Sequence, residues 1–441
     1  MIGHVNNRNR AGLCRTLVSG ALALSTLTVG SSAVADDPVT LKMWALVNEN
    51  YPEFIQTATD EFRESNPGID IELESIPNEA YKTAIQVALV GSEPPDIFFN
   101  WSGEDAARLA RSGLALDITD LGAAEGNYRN VLSEAWQQAF AVNGRQYGIP
   151  VDAVSKYFYY NTRFFDEHEL EVPVTFDELL GLCGKVREID PEMVPLPLGN
   201  SERWKLNHLI TVVNERVLGL DAVRADYALE AADDKLFTNP DYEKAWEKVL
   251  AMQAADCFQD APNATSPEVS RSLFSAEISP MIFCGTWCMS IFDKEGFTDY
   301  ALFRFPPMTD GASDGSTNMV IPQGLQISAK TEHPEEAVKF ASFLVTADMA
   351  KLYAELRGAI PSNPEKVGEM DATDQFKWVA QDVASLSESF SVLDVMLEAG
   401  VSEAYLDMGV EVLNGTKTPA QAMDVIRAAA QEGKKKLAAG Q

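Results

Sequence analysis

LKMWAL at 41–46, IDIELE at 69–74 and PPDIFFNW at 94–101, with a helical run after each of the first two, form the stretch that decides the fold. Leu41 to Leu46 reads as a short apolar strand. Phe54, Ile55, Ala58 and Phe62 then recur at helical spacing until Asn66-Pro67-Gly68 stops them. Ile69, Ile71 and Leu73 alternate with Asp70, Glu72 and Glu74, the period of a strand with one wet face. Tyr81, Ala84, Ile85, Ala88 and Leu89 restore the helical period up to Gly91, and Pro94-Pro95-Asp96 leads into Ile97-Phe98-Phe99, an apolar run suited to a buried parallel strand. Strand, helix, strand, helix, strand predicts an α/β unit with a mostly parallel sheet.

C-terminal to this unit, a second begins near Gly148-Ile149-Pro150, where the chain passes into Lys156-Tyr157-Phe158-Tyr159-Tyr160. Helical patterns follow at 176–188, 204–218 and 242–255, Met281-Ile282-Phe283 reads as a buried strand, and a further strand is expected at 325–328. A helix starts after Thr331 with Ala337, Phe340, Ala341 and Leu344 on one face. The C-terminal third is helical and closes on Lys434-Lys435-Lys436, cations that a helix C-terminus favours.

N-terminal to it, Arg8, Arg10 and Arg15 lead into an uncharged run over 16–34 that ends in Ala33-Val34-Ala35, the small-x-small pattern of a leader cleaved before Asp36. The apolar centre at 17–29 is too short and too rich in Ser, Thr and Gly to span a bilayer, which needs about 20 apolar residues. Cys14 precedes that centre and lacks the setting of a lipid-attachment cysteine. An exported, soluble chain is expected, with residues 1–35 removed and 406 remaining. That length exceeds the roughly 250–300 residues at which single cores stop growing, so two domains are expected. The leader holds three basic and no acidic residues, so its loss takes the formal net charge from −31 to −34. A surface that negative repels phosphate backbones and anionic lipids, which argues against nucleic-acid partners.

Four cysteines remain after cleavage: Cys183, Cys257, Cys284 and Cys288. In an exported chain they suggest two disulfides with three connectivities, of which Cys183–Cys257 with Cys284–Cys288 is favoured. One C-x3-C plus two isolated cysteines is not a zinc-knuckle pattern, and the C-x2-C of a redox centre is missing. His168, His208 and His333 are scattered without ligand spacing, and neither a phosphate-binding loop nor a dinucleotide fingerprint occurs. The positive signal is aromatic. Ligands of open α/β sheets bind outside the carboxyl ends of the strands, and Trp44 and Trp101 sit at two such ends. Trp287 repeats the arrangement after Ile282-Phe283-Cys284, with Gly285-Thr286 as a turn between strand and ring. A flat indole suits the C–H face of a sugar, while carboxylates and amides bind its hydroxyls.

These segments, in this order, resemble the family 1 extracellular solute-binding proteins of ABC importers, the maltose-binding-protein-like group. Leu41-Lys42-Met43-Trp44 resembles the family's opening strand, and Pro95-Asp96-Ile97-Phe98-Phe99-Asn100-Trp101 its proline–aspartate strand. Gly148-Ile149-Pro150-Val151-Asp152 leading to Tyr160-Asn161, the apolar strand and Gly-small-Trp from Met281 to Trp287, and the helix after His333-Pro334-Glu335-Glu336-Ala337 are similar in turn. The resemblance implies the periplasmic-binding-protein fold, two α/β lobes with mostly parallel sheets, joined by a hinge, with the ligand in the cleft between them. Lobe one would take residues 38–150 and 308–356, and lobe two 151–307 and 357–441. It implies ligand contacts at Trp44, Asn48, Glu49, Asn100, Trp101 and Asp152, and in lobe two at Trp204, Gly285, Trp287 and Tyr405, with Arg357 where the chain re-enters lobe two. It also implies a periplasmic monomeric receptor delivering a di- or oligosaccharide to membrane permease subunits, without cofactor or metal. Two other readings stay open: a secreted carbohydrate-active enzyme using a carboxylate pair such as Glu49 and Asp152, and the same fold holding a non-sugar ligand such as a glycerol phosphodiester.

Overall fold

The computed structural model describes residues 38–46, 51–123 and 127–439, so the expected leader with its cleavage site, and Asn48 and Glu49, lie outside the described residues. β1 (Val39–Leu46) buries Leu41, Met43 and Ala45 on one face, and α1 (Tyr51–Ser65) buries Phe54, Ile55, Ala58 and Phe62, the four residues at helical spacing. β2 (Ile69–Ile76) leaves Glu72 and Glu74 exposed, as its alternation requires. α2 (Asn78–Val90) packs through Tyr81, Ile85 and Leu89, and β3 (Ile97–Trp101) is buried from Ile97 to Asn100. β1 pairs in parallel with β2 from Val39–Ile69 to Leu46–Ile76, and with β3 at Met43–Ile97 and Trp44–Phe98. Each helix carries the chain back across the sheet, which is what parallel neighbours need.

β4 (Ile149–Asn161) begins where the change of unit is expected, and it runs for 13 residues without a break. Downstream come α3 (Trp204–Leu218), β5 (Met281–Gly285), α4 (Trp287–Lys294), β6 (Tyr300–Phe303) and β7 (Asn318–Ile327). After them come α5 (Ala347–Arg357), the short β8 (Ile360–Pro361) and α6 (Leu393–Met396). Strand order is β8-β4-β7-β3-β1-β2, with β5 and β6 attached to β4. β4 is shared: Ile149 to Ser155 pair with β7, whereas Lys156 to Asn161 pair with β5 and β6. Its polypeptide therefore passes from one pleated surface to the next.

The mostly parallel pairing expected throughout holds for β1, β2 and β3. Around β4 the pairings with β5, β6, β7 and β8 are all antiparallel, as is β3 with β7. A strand continuous through both surfaces keeps one direction, and the chain returns against it. The strand expected at 325–328 is longer, starting at Asn318, because Met319 and Ile321 continue the buried face. Both favoured disulfides are present. Cys183–Cys257 ties the helix Phe176–Ile189 to the turn after the helix Asp241–Ala254, and Cys284–Cys288 ties the end of β5 to the first turn of α4. Among the described residues no helix is long and apolar enough to cross a membrane.

Candidate ligand-binding cavity

A cavity of about 440 Å³ opens where the carboxyl ends of β1 and β3 meet α2, α3, α4 and α6. That volume is in the range of small-molecule sites. Leu46 and Trp101 reach it from the strand ends, Glu79 and Lys82 from the start of α2, Trp204 and His208 from α3, and Trp287 from α4. Gln323 on β7, Arg357 at the end of α5 and Asp394 on α6 add polar groups, as do Asn78, Glu202, Glu268 and Arg271.

The indoles are held by different devices. Trp204 donates its Nε1–H to Glu202 at 2.8 Å and lies 5.1 Å from the His208 ring, one helical turn on. Trp287 meets Trp204 edge-on at 6.2 Å. Its ring folds back over the end of β5, where a Cβ on Gly285 would sit 2.0–2.4 Å from three ring atoms. Gly285 is therefore the residue that lets this ring lie down. Trp101 packs edge-on against Phe99 at 5.1 Å, with the Lys82 ammonium 5.6 Å from its ring.

Four polar atoms of cavity-lining residues are buried without a hydrogen-bond partner among the described residues: His208 Nδ1, Gln323 Oε1, Arg357 Nε and Asp394 Oδ1. Buried polar groups are nearly always satisfied, and here four such atoms border one cavity. Burial raises the Asp394 carboxyl above its ordinary value while Lys82, 4.0 Å away, pulls it down. Burial also works against the Lys82 ammonium, but Asp394 and Glu79 outweigh it and the pKa is raised. Lys82 is thus a fixed cation between two acids. Burial lowers the His208 pKa well below its ordinary value, with Lys156, Lys82 and Lys205 adding to it, so the ring is neutral and both donates and accepts.

Of the residues picked out in the sequence, Trp101, Trp204, Trp287 and Arg357 line this cavity together. Gly285 and Asp152 stand directly behind its wall: Gly285 under the Trp287 ring, and Asp152 4.0 Å from the Arg357 guanidinium. Burial pushes the Asp152 carboxyl up to about 6, against the pull of Arg357 and Tyr353. Trp44, Asn100 and Tyr405 do not line the cavity. Trp44 packs half-buried on the core, because β1 runs two residues further and presents Leu46 at the cavity instead. Asn100 is turned inward, donating to Gln326 at 2.7 Å and accepting from the Trp101 amide. Tyr405 lies in the core between Phe237 and Trp246, because the helix Ala399–Leu413 packs against α3 rather than facing the cavity. His208 was readable from the sequence as the residue one turn after Trp204. Gln323 and Asp394 had no local signal, since one lies in an apolar strand and the other in a four-residue helix.

The chain belongs to the bacterial extracellular solute-binding protein family, which it matches over residues 45–351. It is similar to an uncharacterized ABC transporter extracellular-binding protein of Pyrococcus horikoshii, 25% identical over 351 residues that cover 75% of this chain and 77% of that one. It is 26% identical over 312 residues to the multiple sugar-binding protein of Streptococcus mutans, covering 68% and 69% of the two chains. Among solved structures, a chitin oligosaccharide binding protein shares the fold with a TM-score of 0.81 at 20% identity, covering 90% of this chain and all of the other (100%). The family consists of receptors of ABC transporters, not enzymes, and Asp152 behind the wall is not placed to act on a substrate.

Proposed function

We propose that this chain is the exported receptor of an ABC importer and that it binds a carbohydrate, a di- or oligosaccharide, in the cavity. The observation that supports this most is the pairing of three indoles with four unpartnered polar atoms of both kinds: Arg357 donates, Gln323 and Asp394 accept, and His208 does either. A sugar ring presents apolar C–H faces to indoles and a belt of hydroxyls that both donate and accept. A phosphodiester would leave the Asp394 carboxylate opposed, and an apolar ligand would leave all four atoms unsatisfied.

In this reading residues 38–150 with 308–356 and residues 151–307 with 357–441 are two lobes that close on the ligand, and β4 is one of the segments between them. The closed receptor is recognised by membrane permease subunits. The chain works in the periplasm as a monomer after cleavage behind Ala35, which mass spectrometry of the exported protein tests: a mature chain retaining residues 1–35 refutes it. The sugar reading is tested by thermal unfolding with raffinose, maltotriose, xylotriose and N,N′-diacetylchitobiose. A ligand at 100 times its dissociation constant adds about 2.7 kcal/mol of stability. No shift with any of them at millimolar concentration would refute the sugar reading.

A further inference from the structure

One side chain beside the cavity wall is used by nothing described so far. Lys156 on β4 lies directly opposite Gly285 on β5. Directly opposed residues share one face of a sheet, so the Lys156 side chain stands beside the place that Gly285 leaves empty, and the Trp287 ring fills that place. The Lys156 Nζ is 4.1 Å from the Trp287 ring centroid, and 5.2 and 5.8 Å from those of Trp204 and Phe283. Lys156 is 1% exposed, and its Nζ has no hydrogen-bond partner among the described residues.

A buried amine without an acceptor costs the fold free energy. Stability therefore gives no account of it. What the box of rings does offer is cation–π attraction, strongest for an indole and strengthened where water is excluded. We infer that Lys156 is a positioning residue for ligand binding: its ammonium, seated over Trp287, fixes that indole in the orientation the ligand meets. This rests on the sugar-receptor reading. Lys156 does not itself line the cavity and acts through the ring. A ring already held spares the ligand the cost of ordering it.

The charged and titratable groups that face the amine are Lys205 and His208 from α3, Arg271 from the helix Pro267–Ser275 and Asp394 from α6. Burial first, then Lys205, drive the Lys156 pKa well below that of a free lysine; Asp394 opposes and Arg271 adds. The ammonium is consequently present at low pH and lost on raising it, and the grip on Trp287 is lost with it. Since its neighbours titrate too, the variant Lys156→Met isolates the one group while keeping the stem.

Three measurements decide the matter. In ligand-free protein, tryptophan emission followed across the whole pH range in which the chain stays folded should change more in the wild type than in Lys156→Met; coincident curves overturn the inference. With whichever of raffinose, maltotriose, xylotriose and N,N′-diacetylchitobiose gives the largest thermal shift, Lys156→Met should bind roughly two- to tenfold more weakly. In a Trp287→Ala background the same substitution should cost nothing further. Independent, multiplying losses overturn it. Ligand-free Lys156→Met should unfold at the same temperature as the wild type or higher, and a large drop makes Lys156 a structural residue instead. Should Lys156→Met not fold, Lys156→Gln serves the same comparisons. Absence of binding by all four sugars refutes the sugar reading, and the emission curves then decide the Lys156–Trp287 contact alone.

Discussion

Replacing Gly285 with alanine adds one methyl group, and the geometry says where it goes. The new Cβ would lie 2.0 Å from Cζ3, 2.3 Å from Cε3 and 2.4 Å from Cη2 of Trp287. Carbon atoms pack at about 3.5–4.0 Å, so the ring has to withdraw by roughly 1.5 Å or change rotamer. The backbone cannot easily yield instead, since the Gly285 carbonyl accepts the Tyr159 hydroxyl at 2.9 Å and Cys284 and Cys288 bracket the turn. Withdrawal takes the indole out of the cavity wall. Binding should then lose most of what an aromatic anchor supplies, about 2 kcal/mol, or roughly thirtyfold in dissociation constant. The fold should lose less than the roughly 1–3 kcal/mol of a closed core overpacked by one methyl, because the half-buried ring has the cavity to move into. Calorimetric titration with the best-binding of the four sugars, paired with ligand-free thermal unfolding, reads both numbers. Gly285→Ala binding with wild-type affinity would refute the reasoning about this ring. Unfolding far below the wild type with affinity intact would return Trp287 to the core.

The Asp152 carboxyl takes up its proton near pH 6 in the folded chain, whereas the unfolded chain takes it up near about 3.9. Its contribution to stability is therefore full below about 3.9 and is lost as pH rises through about 6. Relative to Asp152→Asn, the wild type should gain up to about 1.4 kcal/mol per pH unit as pH falls from about 6 to about 4; parallel unfolding curves across that window would refute this. Tyr405→Phe should leave sugar affinity within about twofold, because the ring is packed in the core against Trp246 and does not line the cavity; a tenfold loss would put it back in the site. Removing Cys183–Cys257, whose partners are 74 residues apart, should cost about 4 kcal/mol, against about 2 for Cys284–Cys288 at a separation of 4. Chemical unfolding of the Cys183→Ser/Cys257→Ser and Cys284→Ser/Cys288→Ser variants gives the order, and the reverse order would contradict the loop argument.

The sequence made the first sheet legible because its two periods are clean. Phe54, Ile55, Ala58 and Phe62 repeat as a helix must, and Glu72 and Glu74 alternate as an edge strand must. It concealed the second pleated surface. Lys156-Tyr157-Phe158-Tyr159-Tyr160 is buried on both faces, so no alternation showed that the strand runs on to Asn161 or that its partners are antiparallel. The site was half visible for a similar reason. A tryptophan at a strand end is conspicuous, and Trp101 and Trp287 are in the wall, yet Trp44 misses it by the two residues that β1 continues. Gln323, Asp394 and Lys82 come from a strand, a short helix and the start of another helix, and only the topology brings them together. Gly285 reads as a turn residue and, by resemblance, as a ligand contact; its use as a bed for the Trp287 ring depends on that side chain's direction, which spacing does not encode.

The central claim, that a sugar lies among these indoles, is tested most directly by titrating the wild type and the Trp101→Ala/Trp287→Ala variant side by side in a calorimeter with raffinose, maltotriose, xylotriose and N,N′-diacetylchitobiose. The account predicts saturable one-to-one binding of at least one sugar to the wild type and a loss of at least a hundredfold in the folded variant, the product of two aromatic anchors at about 2 kcal/mol each, discounted for coupling across the site. Equal binding by the two proteins would place the sugar elsewhere and contradict it.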